Sequence, residues 1–321
     1  MEICNKMESA IRKKILFACM DWGLGHASRS VPLIRNLQKE GHEVVLASAG
    51  PAFAFWKNYF PELPILEKPA YKIRYSINFS VNAMLFFQSR SFIKTIRNEN
   101  KWLEKIQVEY KFDEVYSDNC YGLYNQNLHS TIITHQLMVK CPKGLQFLER
   151  PLHNKILSYT NKFDKCLIPD FEGDSNLSGD LSHKYELPAN ATFIGPLSRF
   201  EKRSPVEFVK QYEFCAILSG PEPLRTELEE QCIDLFKKTE KKCLVIRGLP
   251  EKAECLQVDG LDIYNHLGDE EFREKVTQSD KIICRSGYST IMDLHALNKR
   301  AILIPTPGQT EQEYLAKHHS G

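Results

Sequence analysis

The sequence predicts two doubly wound α/β domains, each built on a parallel sheet, facing one another across a cleft. Three observations carry the prediction. The chain is 321 residues long, more than one ordinary domain of roughly 100–200 residues. Short apolar runs alternate with longer helical patterns from end to end, the signature of parallel strands covered on both faces by helices. The charge also changes sign along the chain. Residues 1–200 carry 25 Lys and Arg against 20 Asp and Glu, and the remainder 17 against 21, which suits two domains with separate tasks.

In the first half the strand candidates are KKILFACM (13–20), HEVVLASA (42–49), DEVYSD (113–118), STIITHQ (130–136), KCLIPD (165–170) and TFIGP (192–196). Each is a run of aliphatic, β-branched or aromatic residues bounded by polar or turn-forming ones. Helical patterns fill 27–40 and the long 81–108. In the second half the strands are FCAILSG (214–220), KKCLVIRG (241–248), LDIYNHL (261–267), KIICRSG (281–287) and RAILIPTP (300–307), with helices over 223–239, 270–278 and 289–297. The polar run 199–205 (RFEKRSP) reads as a linker. It divides the chain into domains 11–200 and 206–321.

Composition excludes several function classes. A hydrophobic share of 42% and a charged share of 26% are those of a globular protein. A net charge of +1 lacks the basic field of an electrostatic nucleic-acid binder. The ten cysteines form no C-x-x-C pair, and Cys19, Cys215 and Cys284 sit inside apolar strands, where a thiol behaves as a small hydrophobe. A reduced, cytoplasmic compartment follows as the expectation. The N-terminus has no signal-peptide core, and no apolar run reaches the ~18 residues of a membrane span.

Ligands of open α/β sheets bind beyond the carboxyl ends of strands, and two such places carry chemistry. After the first strand comes Asp21-Trp22-Gly23-Leu24-Gly25-His26-Ala27-Ser28-Arg29. Its glycines allow a tight turn into a helix and close backbone approach to a ligand. It is not a dinucleotide fingerprint: Ser28 replaces the third glycine, and the second strand ends in Ala47-Ser48-Ala49 without the ribose-binding acid. A helix N-terminus disfavours an imidazolium, which makes His26 a candidate general base. Asp118, ending another strand of the same half, is a candidate to orient its ring. The plainer alternative is that Asp118 caps a helix. His135, at the end of STIITHQ, is a third candidate, with a core histidine as its alternative.

The second place is Arg285-Ser286-Gly287-Tyr288-Ser289-Thr290, which joins a strand to a helix. Small and hydroxyl residues at a helix start can cradle a diphosphate with N–H groups and the helix dipole. Asp293 lies seven residues after Ser286, about two turns on and on a similar face. The next strand ends in Pro305-Thr306-Pro307-Gly308-Gln309, and Gln312 and Glu313 follow. A generic phosphate turn with an acidic loop behind it is the plainer reading.

The stretches GLGHASRSVPLIRNLQKEGHEV and RSGYSTIMDLHALNKRAILIPTPGQTEQEY, with Gly195-Pro196-Leu197-Ser198-Arg199, resemble the MurG-type glycosyltransferases of glycosyltransferase family 28. The likeness spans nearly the whole chain and is dense in those stretches. It implies the GT-B fold, two Rossmann-like domains facing a cleft, and a UDP-sugar donor such as UDP-N-acetylglucosamine. Through it, His26 matches the glycine-loop histidine and Arg199 the diphosphate arginine. Ser286 and Gly287 match the phosphate turn that follows Arg285, and Asp293 the ribose acid, normally Glu. Gln312 and Glu313 match the pair at the donor sugar. His135 resembles a histidine near the acceptor, on whose side Gly25 also falls. The His26–Asp118 pairing resembles the base dyad of small-molecule UDP-sugar transferases of the same fold. The implied reaction is an inverting single displacement, with no cofactor beyond the sugar nucleotide and, in the absence of an Asp-x-Asp motif, no metal.

Three departures qualify the likeness. Trp22 and Leu24 interrupt a loop that is glycine-rich in the family. Ser219-Gly220-Pro221-Glu222-Pro223 lacks the usual Gly-Gly-Ser-x-Gly, so only Ser219 and Gly220 carry over to the donor side. The chain stops at Gly321, where family members continue through helices that close the second domain. An incomplete second domain with lowered stability or activity is the expectation from that.

Segment 71–97 places AMLFF (83–87) between Lys72, Arg74, Arg90, Lys94 and Arg97. Apolar groups beside cations suit an anionic membrane face and a lipid-linked acceptor, with a core helix carrying a solvated basic face as the alternative. The resemblance implies a cell-envelope glycan precursor as a further candidate acceptor. Two competing functions fit the same motifs. One is a UDP-sugar 2-epimerase or hydrolase, which needs more carboxylates at the strand ends than this chain shows. The other is a non-catalytic sugar-nucleotide scaffold.

Overall fold

A computed structural model describes residues 11–71, 81–200, 209–249, 255–258 and 260–320, with backbone alone over 81–90. The first lobe runs β1 (Lys14–Cys19), α1 (Gly25–Lys39), β2 (Glu43–Ser48), α2 (Gly50–Tyr59), β3 (Ile65–Glu67) and α3 (Val81–Tyr110). It continues with β4 (Glu114–Asp118), β5 (His129–Ile133), α4 (Glu149–Thr160), β6 (Lys165–Ile168), α5 (Asp180–His183) and β7 (Ala191–Phe193). The second lobe begins with β8 (Tyr212–Ile217), α6 (Leu224–Phe236), β9 (Cys243–Ile246), β10 (Cys255–Val258) and β11 (Leu261–Tyr264). It ends with α7 (Asp269–Thr277), β12 (Ser279–Cys284), α8 (Tyr288–Ala296), β13 (Ile302–Leu303) and α9 (Thr310–His318).

The expectation of two parallel-sheet α/β domains holds. The first sheet has the strand order β3-β2-β1-β4-β5-β6-β7, and the second β10-β11-β9-β8-β12-β13. All pairings are parallel except β10 with β11. The winding reverses between β1 and β4 in one sheet and between β8 and β12 in the other. Those two switch points are where crevices open at the strand ends, and register brings Cys19 beside Asp118 and Ile217 beside Cys284 there.

Every strand expected from sequence is present, and the structure adds four-residue β10 and three-residue β3. Both lie at sheet edges, and all four residues of β10 are exposed, so neither needs the apolar run that marks a buried strand. Helix α2 begins at Gly50-Pro51. That pair reads as a break, yet proline at the first turn of a helix loses no hydrogen bond. Cys19, Cys215 and Cys284 are buried free thiols; burial pushes the last two up to about 12.

The lobes share part of their packing. Ala27 and Val31 of α1 belong to one buried cluster with Tyr288, Ile291 and Met292 of α8 and Leu315 of α9. Gly25 and Ser289 meet at the start of the two helices, where Ser289 Oγ donates to the Gly25 carbonyl at 3.0 Å. A Cβ on residue 25 would lie 2.9 Å from that oxygen, so glycine there sets how closely the helix starts approach.

Of the expected linker, residues 201–205 lie outside the described residues. The same is true of 72–80 and of the side chains of 83–87, on which the membrane expectation rests. Among the described residues no helix is long and apolar enough to cross a membrane.

Candidate functional site

The two switch points face each other across one cavity of about 890 Å³, within the range of small-molecule sites. Its first-lobe wall is the β1–α1 loop with His26, and its second-lobe wall is the loops after β8, β9, β11 and β12.

His26 is the second residue of α1, and the parallel register of β1 and β4 sets Asp118 beside the start of that helix. His26 Nδ1 lies 2.8 Å from Asp118 Oδ1. The carboxylate is fully buried and also accepts from Arg29 Nε at 2.7 Å, Arg29 Nη2 and Ser30 Oγ at 3.1 Å. Burial alone would push this carboxyl up, but Arg29 and then His26 outweigh it and hold it well below the ordinary carboxylate range. An ionised Asp118 fixes the proton on His26 Nδ1. Nε2 is then the lone-pair nitrogen of a ring that lines the cavity.

Arg29 was not singled out in the sequence, although it stands three residues after His26 and so on a neighbouring helix face. It is 1% exposed, and its remaining nitrogen, Nη1, lies 3.0 Å from His135 Nδ1. His135 Nε2 is 3.0 Å from Glu311 Oε1, and the ring stacks on Tyr288 at 4.1 Å. Burial pushes His135 below its ordinary range. Burial opposes the charge on Glu311, but the His135 hydrogen bond outweighs it and holds that carboxyl low. Glu311 had no signal in the sequence, because 310–318 reads as a polar loop until its leucine, Leu315, is seen to be buried against the other lobe.

On the second-lobe wall, α8 starts at the cavity. Gly287 is its N-cap in extended conformation, no side chain caps the helix, and Gly287, Tyr288, Ser289 and Thr290 line the space. Their amides and the helix dipole make an anion seat without further help. Ser219 and Gly220, the latter at φ +111°, form the opposite lip. Asp293 faces the cavity one turn further in and accepts from Ser198 Oγ at 2.6 Å. Burial raises its carboxyl to about 6 despite nearby Arg199. Arg199 also lines the cavity; Nη1 lies 3.3 Å from Asp269 Oδ1, and the guanidinium rests over Phe200 and Phe272.

Three residues expected on the donor side stand elsewhere. Arg285 is buried beneath the loops, donating to the carbonyls of Pro305 at 3.0 Å and Leu224 at 2.6 Å; it braces two chain segments away from the cavity. Ser286 is fully buried and donates to the Gln312 carbonyl at 2.7 Å, so its hydroxyl ties α9 to the β12–α8 turn. Glu313 is exposed and accepts from Gly308 N–H at 3.3 Å. Two residues earlier on the same helix, about 200° away in rotation, Glu311 points inward instead. Gln312 does line the cavity, with its Oε1 held by Thr306 N–H at 2.8 Å. Gly25 and Trp22 line the first-lobe side, Trp22 at 43% exposure.

The Asp293 environment has a consequence for stability. A carboxyl that titrates near 6 when folded and near 3.8 when free binds its proton more tightly in the native state. Its contribution is therefore full below about pH 4 and lost as pH rises through 6. Asp293→Asn is expected to stabilise the protein by about 2–3 kcal/mol at pH 8 and to change it little at pH 4. Urea denaturation at the two pH values checks this.

Residues 228–319 match the model of the glycosyltransferase family 28 C-terminal domain. No curated protein matches the chain in sequence. Among solved structures, the spinosyn rhamnosyltransferase SpnG complexed with thymidine diphosphate is similar at TM-score 0.62 and 13% identity, covering 94% of this chain and 83% of that one. The kitacinnamycin glycotransferase gives 0.60 at 15% identity, over 96% and 85%. The glycosyltransferase SsfS6 of Streptomyces sp. SF2575, complexed with thymidine diphosphate, gives 0.59 at 12% identity, over 95% and 85%. The fold is that of the GT-B glycosyltransferases, and the matched family segment lies in the second lobe.

Proposed function

We propose that the protein is an inverting glycosyltransferase that moves N-acetylglucosamine or another hexose from a UDP-sugar to a hydroxyl acceptor. The acceptor side would belong to 11–200 and the donor side to 206–321. The observation that carries the reading is the shared cavity: His26, held by Asp118, lines the same space as the uncapped start of α8. In the proposed step His26 Nε2 takes the acceptor hydroxyl proton as its oxygen bonds to the anomeric carbon. The bond from that carbon to the diphosphate breaks, and the electron pair leaves on the diphosphate oxygen. Charge developing there is met by the amides of 287–290 and by Arg199, with no metal invoked. Asp293 and Gln312 are proposed for the ribose and sugar hydroxyls.

A lipid-linked acceptor is proposed on the basic and aromatic sequence of 71–97, and a cell-envelope glycan precursor on the family resemblance alone. A second reading concerns the base of the nucleotide. Two of the similar structures are complexed with thymidine diphosphate, which favours a dTDP-sugar as the alternative donor. A thermal-shift panel of UDP-, dTDP- and GDP-sugars separates them, since ligand binding to the native state raises apparent stability. The expected outcome is a shift of several degrees with UDP-N-acetylglucosamine. A shift with dTDP-sugars alone transfers the assignment to that donor, and no shift with any sugar nucleotide overturns it.

A further inference from the structure

We infer that Glu311 is a positioning residue: through His135 and Arg29 it couples the apposition of the two lobes to the aim of His26. The kinetic part of this inference rests on the glycosyltransferase reading, whereas the spectroscopic part needs no substrate.

A guanidinium has donors only, so His135 Nδ1, 3.0 Å from Arg29 Nη1, must be the lone-pair nitrogen. The ring proton therefore sits on Nε2 and donates to Glu311 Oε1 at 3.0 Å. Both neighbours demand the same neutral tautomer. Stacking on Tyr288 holds the plane of the ring. With Nη1 engaged there, and Nε and Nη2 on Asp118, the Arg29 fork is fixed on every side. Asp118 inherits its orientation from that fork. Oδ2 takes Arg29 Nε and Ser30 Oγ, which leaves Oδ1, shared with Nη2, to face His26 Nδ1 at 2.8 Å.

Glu311 belongs to α9 and Tyr288 to α8, both of the second lobe, whereas His135, Arg29, Asp118, Ser30 and His26 belong to the first. The Glu311–His135 bond exists only while the lobes are together, so the hold that His135 keeps on the Arg29 fork, and through it on the position of Asp118 against His26, is complete only then. The charged groups that act on His135 are Glu311, Arg29 and His26. Those on Asp118 are Arg29 and His26, with the neutral Tyr121, Cys19 and Cys120 nearby, and Tyr288 stacked on His135 faces Asp170.

Nitrogen-15 spectra of the histidine rings in the full-length, ligand-free protein test the coupling, with E311A and E311Q as variants. Wild type is expected to show His135 protonated on Nε2 and His26 on Nδ1. In E311A the His135 signals should show a weakened preference for Nε2–H and the His26 signals should shift as the Arg29 fork relaxes on Asp118, whereas E311Q, whose amide oxygen still accepts from Nε2, should keep the wild-type pattern. Should E311A fold poorly, E311S is too short to reach Nε2 and replaces it. Unchanged His26 signals in E311A or E311S overturn the inference whatever the enzyme's substrate proves to be. In the transfer assay with UDP-N-acetylglucosamine, E311A should lower kcat about 10- to 100-fold with donor KM nearly constant, and E311Q should restore most of it. A raised donor KM at constant kcat would instead assign Glu311 to the sugar and overturn the positioning role.

Discussion

His26→Ala is expected to lower the rate of sugar transfer by about 10²–10⁴-fold while donor affinity stays within about two-fold of wild type. The asymmetry comes from where the ring stands. His26 bonds to Asp118 at the end of the first sheet, whereas the anion seat of α8 and the lips at Ser219 and Gly220 belong to the second lobe. Removing the imidazole deletes a proton acceptor needed only as the acceptor oxygen attacks, so the loss should fall on kcat. Initial rates with UDP-N-acetylglucosamine, together with calorimetric titration of UDP, measure the two effects separately. A His26→Ala enzyme of full activity would rule out the base. A variant that no longer bound UDP would mean that the helix start had been disturbed.

Arg29→Met is expected to cost about 3–5 kcal/mol of folding stability, the largest effect foreseen for a residue that need not touch substrate. Methionine keeps most of the volume but leaves Asp118, with no exposed surface, facing His26 and Ser30 without its principal counter-charge. The pH dependence of the wild type has a definite sign. Asp118 is held well below the ordinary carboxylate range when folded, so its stabilisation is complete above about pH 4 and is lost as pH falls below that. In Arg29→Met that acid-side loss should largely disappear, because the carboxyl no longer has the strong native preference for its charged form. Urea denaturation between pH 3 and 8 checks both statements. Equal stability of the two proteins at pH 7 would show that the ion pair contributes nothing net.

Much of the fold was legible because parallel strands buried on both faces must be apolar throughout. The buried stretches ILFAC, VVLAS and IIC within β1, β2 and β12 stand out against the amphipathic helices between them. Edge strands and short helices were less so: the exposed β10 carries no burial signal, and α9 shows its one buried residue, Leu315, only against the opposite lobe. The candidate site divides in the same way. His26, Asp118, Gly287 and Asp293 were legible because strand ends and helix starts are fixed by local sequence, and ligands collect there. Arg285 and Ser286 belong to the strand-to-helix turn, and Ser286 and Glu313 match family positions at the donor, yet in the structure their side chains bond to backbone groups outside the cavity. For Glu313 the reason is helical rotation, about 100° per residue, which turns it from the cavity while Glu311 faces inward.

By itself, the sequence determined that strand ends rich in Gly, Ser, His and Asp would present a helix start and a histidine at a cleft. Local propensity and the alternation of buried elements suffice for that. Only the tertiary structure decided which charges meet. Asp118 lies 92 residues from His26, and Glu311 lies 176 from His135. Those distances are closed by sheet register and by the packing of α1, α8 and α9 between the lobes. Side-chain pairing of that kind depends on the orientation of whole elements, which no short stretch of the chain encodes.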